Sequence, residues 1–138
     1  MGTYDVFKTD SALEEDGAEI TLTDGSKWKL RRLSSKAGRE AFQKAQRPFQ
    51  GMLRSANIRA LPIPPEIDRA IVRNALINGI VVGWEGVTDV DGNALSFTKE
   101  NCEKVLTDLP DLAAEAFAAA GELANYRAAT LSEAAKNS

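Results

Sequence analysis

The segment Leu61-Pro62-Ile63-Pro64-Pro65 limits this chain's fold more than any other feature. Proline has a fixed φ and no amide donor, and Pro64 restricts Ile63 to extended backbone, so regular structure is interrupted there. Pro65 suits the first position of a helix, where a missing amide costs nothing. Ile67, Ala70 and Ile71 follow, then Ile77, Ile80, Val81 and Trp84 on overlapping faces. The pattern predicts a helix over 65–82 whose second half, apolar nearly all round, is the buried centre of the fold.

Before the break, Thr3 to Lys8 alternates weakly and reads as a short extended arm. Ile20 and Leu22 share one face at a period of two, as do Trp28 and Leu30, and Asp24-Gly25 between them supplies the positive φ of a tight turn. This predicts a β-hairpin over 18–33 with Trp28 in the core. Ser34 and Ser35 offer caps for a helix from Lys36. Its apolar stripe, Phe42, Ala45, Phe49, Met52, Leu53 and Ala56, continues past Pro48, where a kink or break is expected.

After the central helix, Val87 to Phe97 reads as a loop or small hairpin turning at Asp91-Gly92. Thr98 caps a helix to about Leu106, with Glu100 in its first turn. Asp108 and Pro110 open a last helix with Leu109, Leu112, Ala116, Phe117, Ala120, Leu123, Ala124 and Leu131 as its stripe, and residues 134–138 form a frayed tail. The fold class is therefore mostly α, in the α+β sense: an N-terminal hairpin and about four helices. Trp28, Phe42, Ile77, Ile80, Val81, Trp84 and Phe117 are the expected structural residues. The 138 residues, 43% hydrophobic and 27% charged, predict one domain over 1–133, with 35–133 its helical part.

Composition narrows the chemistry. The chain has no histidine, which removes the Ser-His and Cys-His pairs and the commonest zinc ligand. A single cysteine excludes an internal disulfide, and Cys102, beside Val105 and Leu106, reads as a small core residue. Asp89, Asp91, Asn93 and Glu100 fall at positions 1, 3, 5 and 12 of a calcium loop, but Ala94 stands where that loop needs glycine. No glycine pattern forms a phosphate cradle. The expectation is a protein that is not an enzyme, with no metal and no cofactor. No apolar run reaches the ~18 residues of a membrane span, and the acidic N-terminus does not read as a signal peptide.

The charges are segregated. Residues 1–26 hold Lys8 against seven acids, 27–59 hold ten bases against Glu40 alone, and 60–138 hold six bases and twelve acids. Two readings follow. Either the acidic flanks fold onto the basic middle or solvent screens all three blocks, or else the middle is a face for an acidic partner, with Arg31, Arg32, Arg39, Lys44 and Arg47 as candidate protein-binding residues. Nucleic acid is the less favoured partner, because the whole chain is acidic and Phe42 and Phe49 lie on the packing stripe.

Several segments together resemble the tail assembly chaperones of long-tailed bacteriophages. They are Asp5-Val6-Phe7-Lys8-Thr9-Asp10, the acidic residues and glycine of 14–17, Arg31-Arg32, and Phe42 with Pro48 after it. In the second half they are Val82-Gly83-Trp84-Glu85-Gly86-Val87-Thr88-Asp89, Asp91-Gly92-Asn93, Phe97, Glu100-Asn101, Asp108-Leu109-Pro110-Asp111-Leu112 and Tyr126-Arg127. The Ala-rich last helix and Gly121 depart from the pattern. The resemblance implies a non-enzymatic protein of the infected host's cytoplasm, absent from the mature virion. Its partners would be the tape measure protein, which it keeps soluble, and the tail tube protein. Self-association is a further expectation, and Lys136-Asn137 fits an A-rich frameshift site for a longer form. The alternatives are a structural tail or head-tail connector subunit and a small nucleic-acid-binding regulator.

Overall fold

Asp24 and Gly25 turn the chain back on itself, with Gly25 at φ +87°, between strands β1 (Ala18–Thr21) and β2 (Lys27–Leu30). The Asp24 carboxylate accepts from the Ser26 amide at 3.0 Å and the Ser26 hydroxyl at 2.5 Å. The Ser26 hydroxyl in turn accepts from the Trp28 indole N–H at 2.9 Å. Trp28 is thereby fully buried with its one polar atom satisfied.

The computed structural model describes residues 2–128. Two short helices, α1 (Thr3–Phe7) and α2 (Ser11–Asp16), precede the hairpin; α3 (Lys36–Gln46), α4 (Gln50–Ile58) and α5 (Pro65–Ala75) follow it. Strand β3 (Val81–Glu85), α6 (Lys99–Asp108), α7 (Pro110–Gly121) and a 3-10 turn at Leu123–Tyr126 complete the order. The molecule is mostly α with a small antiparallel sheet of order β1-β2-β3, as the sequence predicts.

The expected arm at Thr3 to Lys8 is instead α1, whose Asp5 carboxylate accepts from the Gly2 amide at 3.3 Å. The acidic stretch after it is α2, capped by Asp10, which accepts from the Ala12 and Leu13 amides. At Pro48 the long helix breaks as expected into α3 and α4 around a 3-10 turn, Arg47–Phe49. The stripe continues past the break in part: Phe49 and Leu53 pack against the core, while Met52 is exposed.

The largest correction concerns the central helix. It ends in a π-helical turn, Leu76–Ile80, and Val81 begins a strand. Arg31 ends the helix by taking its free carbonyls: its amide donates to the Ile80 oxygen at 2.8 Å and its Nη1 to the Gly79 oxygen at 3.0 Å. Strand β3 then pairs with β2, setting Trp84 opposite Trp28 with ring centroids 5.0 Å apart. Val81 and Trp84 are thus sheet residues, Ile80 is fully buried, and Ile77 is half-buried. At Gly79 a Cβ would come within 2.8 Å of the Ala41 Cβ, so the glycine lets α3 press onto this turn.

Helix α7 stops ten residues short of Leu131, because the Leu33 amide takes the Ala120 carbonyl at 2.9 Å. Leu131 and the tail from Ala134 lie outside the described residues. The Asp91-Gly92 loop is a turn as expected, with Gly92 at φ +82°. There Asp89 Oδ1 accepts from the Asp91 and Asn93 amides, both at 2.9 Å. Thr98 caps α6 by accepting from the Asn101 amide at 3.0 Å.

Candidate protein-binding face

Helix α3 has two unlike sides. Ser35 opens it, its hydroxyl accepting from the Gly38 amide at 3.0 Å and donating to the Arg32 carbonyl at 2.6 Å. Gly38, Ala41 and Ala45 recur at three and four and are buried, a seam of small residues turned to the core. Arg39, Lys44 and Arg47 lie off that seam and are exposed. Glu40 is exposed on the same helix, and no further acid follows in the sequence until Glu66.

Phe42 lies between the two sides. It is half-buried and tilted against Phe117 of α7, with ring centroids 6.1 Å apart. These rings and Leu33 line a depression of about 410 Å³ rimmed by Arg39, Gln43 and Gln46. On the far side of Phe117 a second depression, about 420 Å³, runs between α5, α6 and α7 over Val72, Leu106 and Ala113, with Arg69 and Arg73 at its edge. The two depressions share Phe117 and are together an apolar trough whose margin carries Arg39, Arg69 and Arg73 and one acid, Asp68.

Arg31 and Arg32 belong elsewhere. Arg31 closes the central helix and also donates from Nε to the Glu15 carbonyl at 2.8 Å. Arg32 pairs with Glu14 at 2.8 Å and lies 5.9 Å from the Tyr126 ring centroid. Burial by itself raises the Glu14 carboxyl. The hydrogen bonds from Thr9 (2.7 Å) and Arg32, with the Arg32 charge, outweigh it and hold the group below its ordinary value. The first reading of the charge blocks therefore holds at Arg32, which the acidic flank meets through Glu14. The acidic flank folds onto Arg31 and Arg32, while Arg39 and Lys44 of α3 and Arg47 of the turn after it are exposed.

The periodicity left out Arg69 and Arg73, which lie beyond the basic block. It also left out Tyr126, which is fully buried and donates from its hydroxyl to the Leu30 carbonyl at 2.8 Å. Burial pushes its phenol up to about 12. Burial likewise pushes the Cys102 thiol up to about 11, the reverse of what a nucleophile needs. Among the described residues, no group of three or more His, Cys, Asp or Glu is arranged to hold a metal ion, and no helix is long and apolar enough to cross a membrane.

Comparison with the curated proteins gave no match, and neither did comparison with the solved structures. A family model described as YdaY prophage protein matches residues 33–137, well over half of the chain and all of the helical trough. The chain is thus phage-derived, and it belongs to the YdaY prophage protein family.

Proposed function

We propose that this prophage protein is a tail assembly chaperone that binds the tape measure protein and keeps it soluble during assembly of the tail tube. The observation that carries the reading is the trough: Phe42 and Phe117 form its floor, Arg39 stands at its rim, and Arg69 and Arg73 stand at its edge beyond Phe117. A long helical client exposes apolar stripes that aggregate unless covered. A shallow apolar trough takes such a stripe, as grooves take amphipathic helices elsewhere. The adjoining bases select stripes flanked by acids. The prophage family and the resemblance of residues 5–127 to tail chaperones support the reading. The protein has no catalytic role in this account and acts in the host cytoplasm without a metal or cofactor.

Co-expression tests it. The tape measure protein of the same prophage should move from the pellet to the soluble fraction when this chain is present and co-purify with it. Assembled particles should lack the chain. A stoichiometric amount in washed particles would make it a structural tail or connector subunit instead.

A further inference from the structure

Tyr4 and Phe7 stand one helical turn apart on α1 and are 82% and 66% exposed. With Thr3, Lys8 and Thr9 they line a notch of about 450 Å³. Two large aromatic side chains left in water beside each other mark a surface that gains by being covered.

The chain itself returns to this notch. Beyond the last 3-10 turn, Tyr126 to Ala128 run antiparallel to Lys8 to Asp10. The Asp10 amide donates to the Tyr126 carbonyl at 2.8 Å, and the Ala128 amide to the Lys8 carbonyl at 2.9 Å. Between these bonds Thr9 faces Arg127 in an antiparallel bridge. Lys8 and Thr9 also belong to the wall of the notch, so Ala128, the last described residue, lies at its lip. The same direction of travel, carried one residue further, sets position 129 beside Phe7. Next to this exit the Arg127 Nε is buried and has no acceptor among the described residues. Buried donors ordinarily have one.

The residues that follow are Ala129, Thr130 and Leu131, and Leu131 is the one large apolar side chain of 129–138. Three residues span about 10 Å when extended, and one helical turn rises about 5 Å, so Leu131 has the reach to meet either ring. We infer that the segment beginning at Ala129 crosses the notch of its own chain, seating Leu131 against Tyr4 and Phe7 and supplying from its backbone the acceptor that Arg127 Nε lacks. The path selects this occupant over a separate protein. A segment tethered at the wall of the notch is present there at a far higher effective concentration than any free chain. Another protein gains Tyr4 and Phe7 only by displacing Leu131, so the segment governs access to the notch. This contact does not depend on what the trough binds.

The test is the backbone amide NMR spectrum of the full chain, set beside that of a synthetic peptide of residues 129–138. In wild type the amides of 130–132 should stand apart from their positions in the free peptide. Tyr4→Ser with Phe7→Ser should move them to the peptide's positions. Leu131→Ser should act in the other direction, shifting the amides of residues 3–9. The amides of β1, β2 and α5 should stay in place in both variants, which shows that each is folded. Dilution of wild type should change none of these shifts, because the contact lies within one chain. Wild-type amides of 130–132 already at the peptide's positions overturn the inference and leave the notch to another protein. A folded variant of either kind that moves nothing across the contact overturns it equally. Shifts that fade on dilution also overturn it, because they place the contact between copies.

Discussion

The hydroxyl of Tyr126 donates to the carbonyl oxygen of Leu30 at 2.8 Å, joining residues 96 apart in sequence beneath the sheet. The C-terminal turn is tied to the N-terminal helices at the same place. The Asp10 amide donates to the Tyr126 carbonyl at 2.8 Å, and the Ala128 amide to the Lys8 carbonyl at 2.9 Å. A phenol fully buried with one acceptor makes stability fall at high pH. Its folded value, about 12, lies above the ordinary 10.0, so its contribution is intact below pH 10 and is lost as pH rises toward 12. Tyr126→Phe should cost about 1 kcal/mol at neutral pH through the lost hydrogen bond. Subtracting its stability from that of wild type should reveal a fall of about 1.4 kcal/mol per pH unit across that window. Urea melts from pH 9 to 12 measure both, and a pH-independent difference would place the phenol in water.

Trp28 and Trp84 face each other across β2 and β3, and Trp84 also meets Phe97 edge-on at 5.1 Å and donates from its indole N–H to the Leu95 carbonyl at 2.9 Å. Trp28→Ala should cost about 3–5 kcal/mol, and half-buried Trp84→Ala somewhat less. A double-mutant cycle on equilibrium denaturation should give a coupling of about 0.5–1.5 kcal/mol. Additive costs would mean that the rings do not interact.

Glu14 and Arg32 give the opposite pH dependence to Tyr126. The folded carboxyl lies below its ordinary 4.5, so its contribution is present above that pH and is lost as pH falls through the lowered value. Glu14→Gln should be less stable than wild type at neutral pH and should lose less on acidification. Melting temperatures from pH 7 to pH 3 check this. Parallel curves for the two proteins would contradict it.

Local signals were legible in the sequence and distant pairings were not. The Asp24-Gly25 turn, the Ser35 and Thr98 caps, the break at Pro48 and the Asp91-Gly92 turn each depend on a few adjacent residues. Val81 to Glu85 does not. An apolar run fits a buried helix or a buried strand equally well, and what decides is β2, more than fifty residues upstream, together with Arg31 closing the helix. The same reasoning separates the five candidate bases. Their charge was visible, but Glu14 and Glu15 holding Arg32 and Arg31 is a tertiary fact. Arg69 and Arg73 reach the trough's edge through the packing of α5 on α7, which no local pattern encodes.

The central claim is that the basic side of α3 captures the tape measure protein, and charge reversal tests it most directly. Arg39, Lys44 and Arg47 are exposed, so changing all three to Glu should alter stability by no more than about 0.5 kcal/mol per site. The measurement is the soluble fraction of the tape measure protein when co-expressed with wild type or with the triple variant. The account predicts that the variant folds with an unchanged melting temperature and leaves the tape measure protein in the pellet. A folded triple variant that solubilises it as well as wild type would contradict the account.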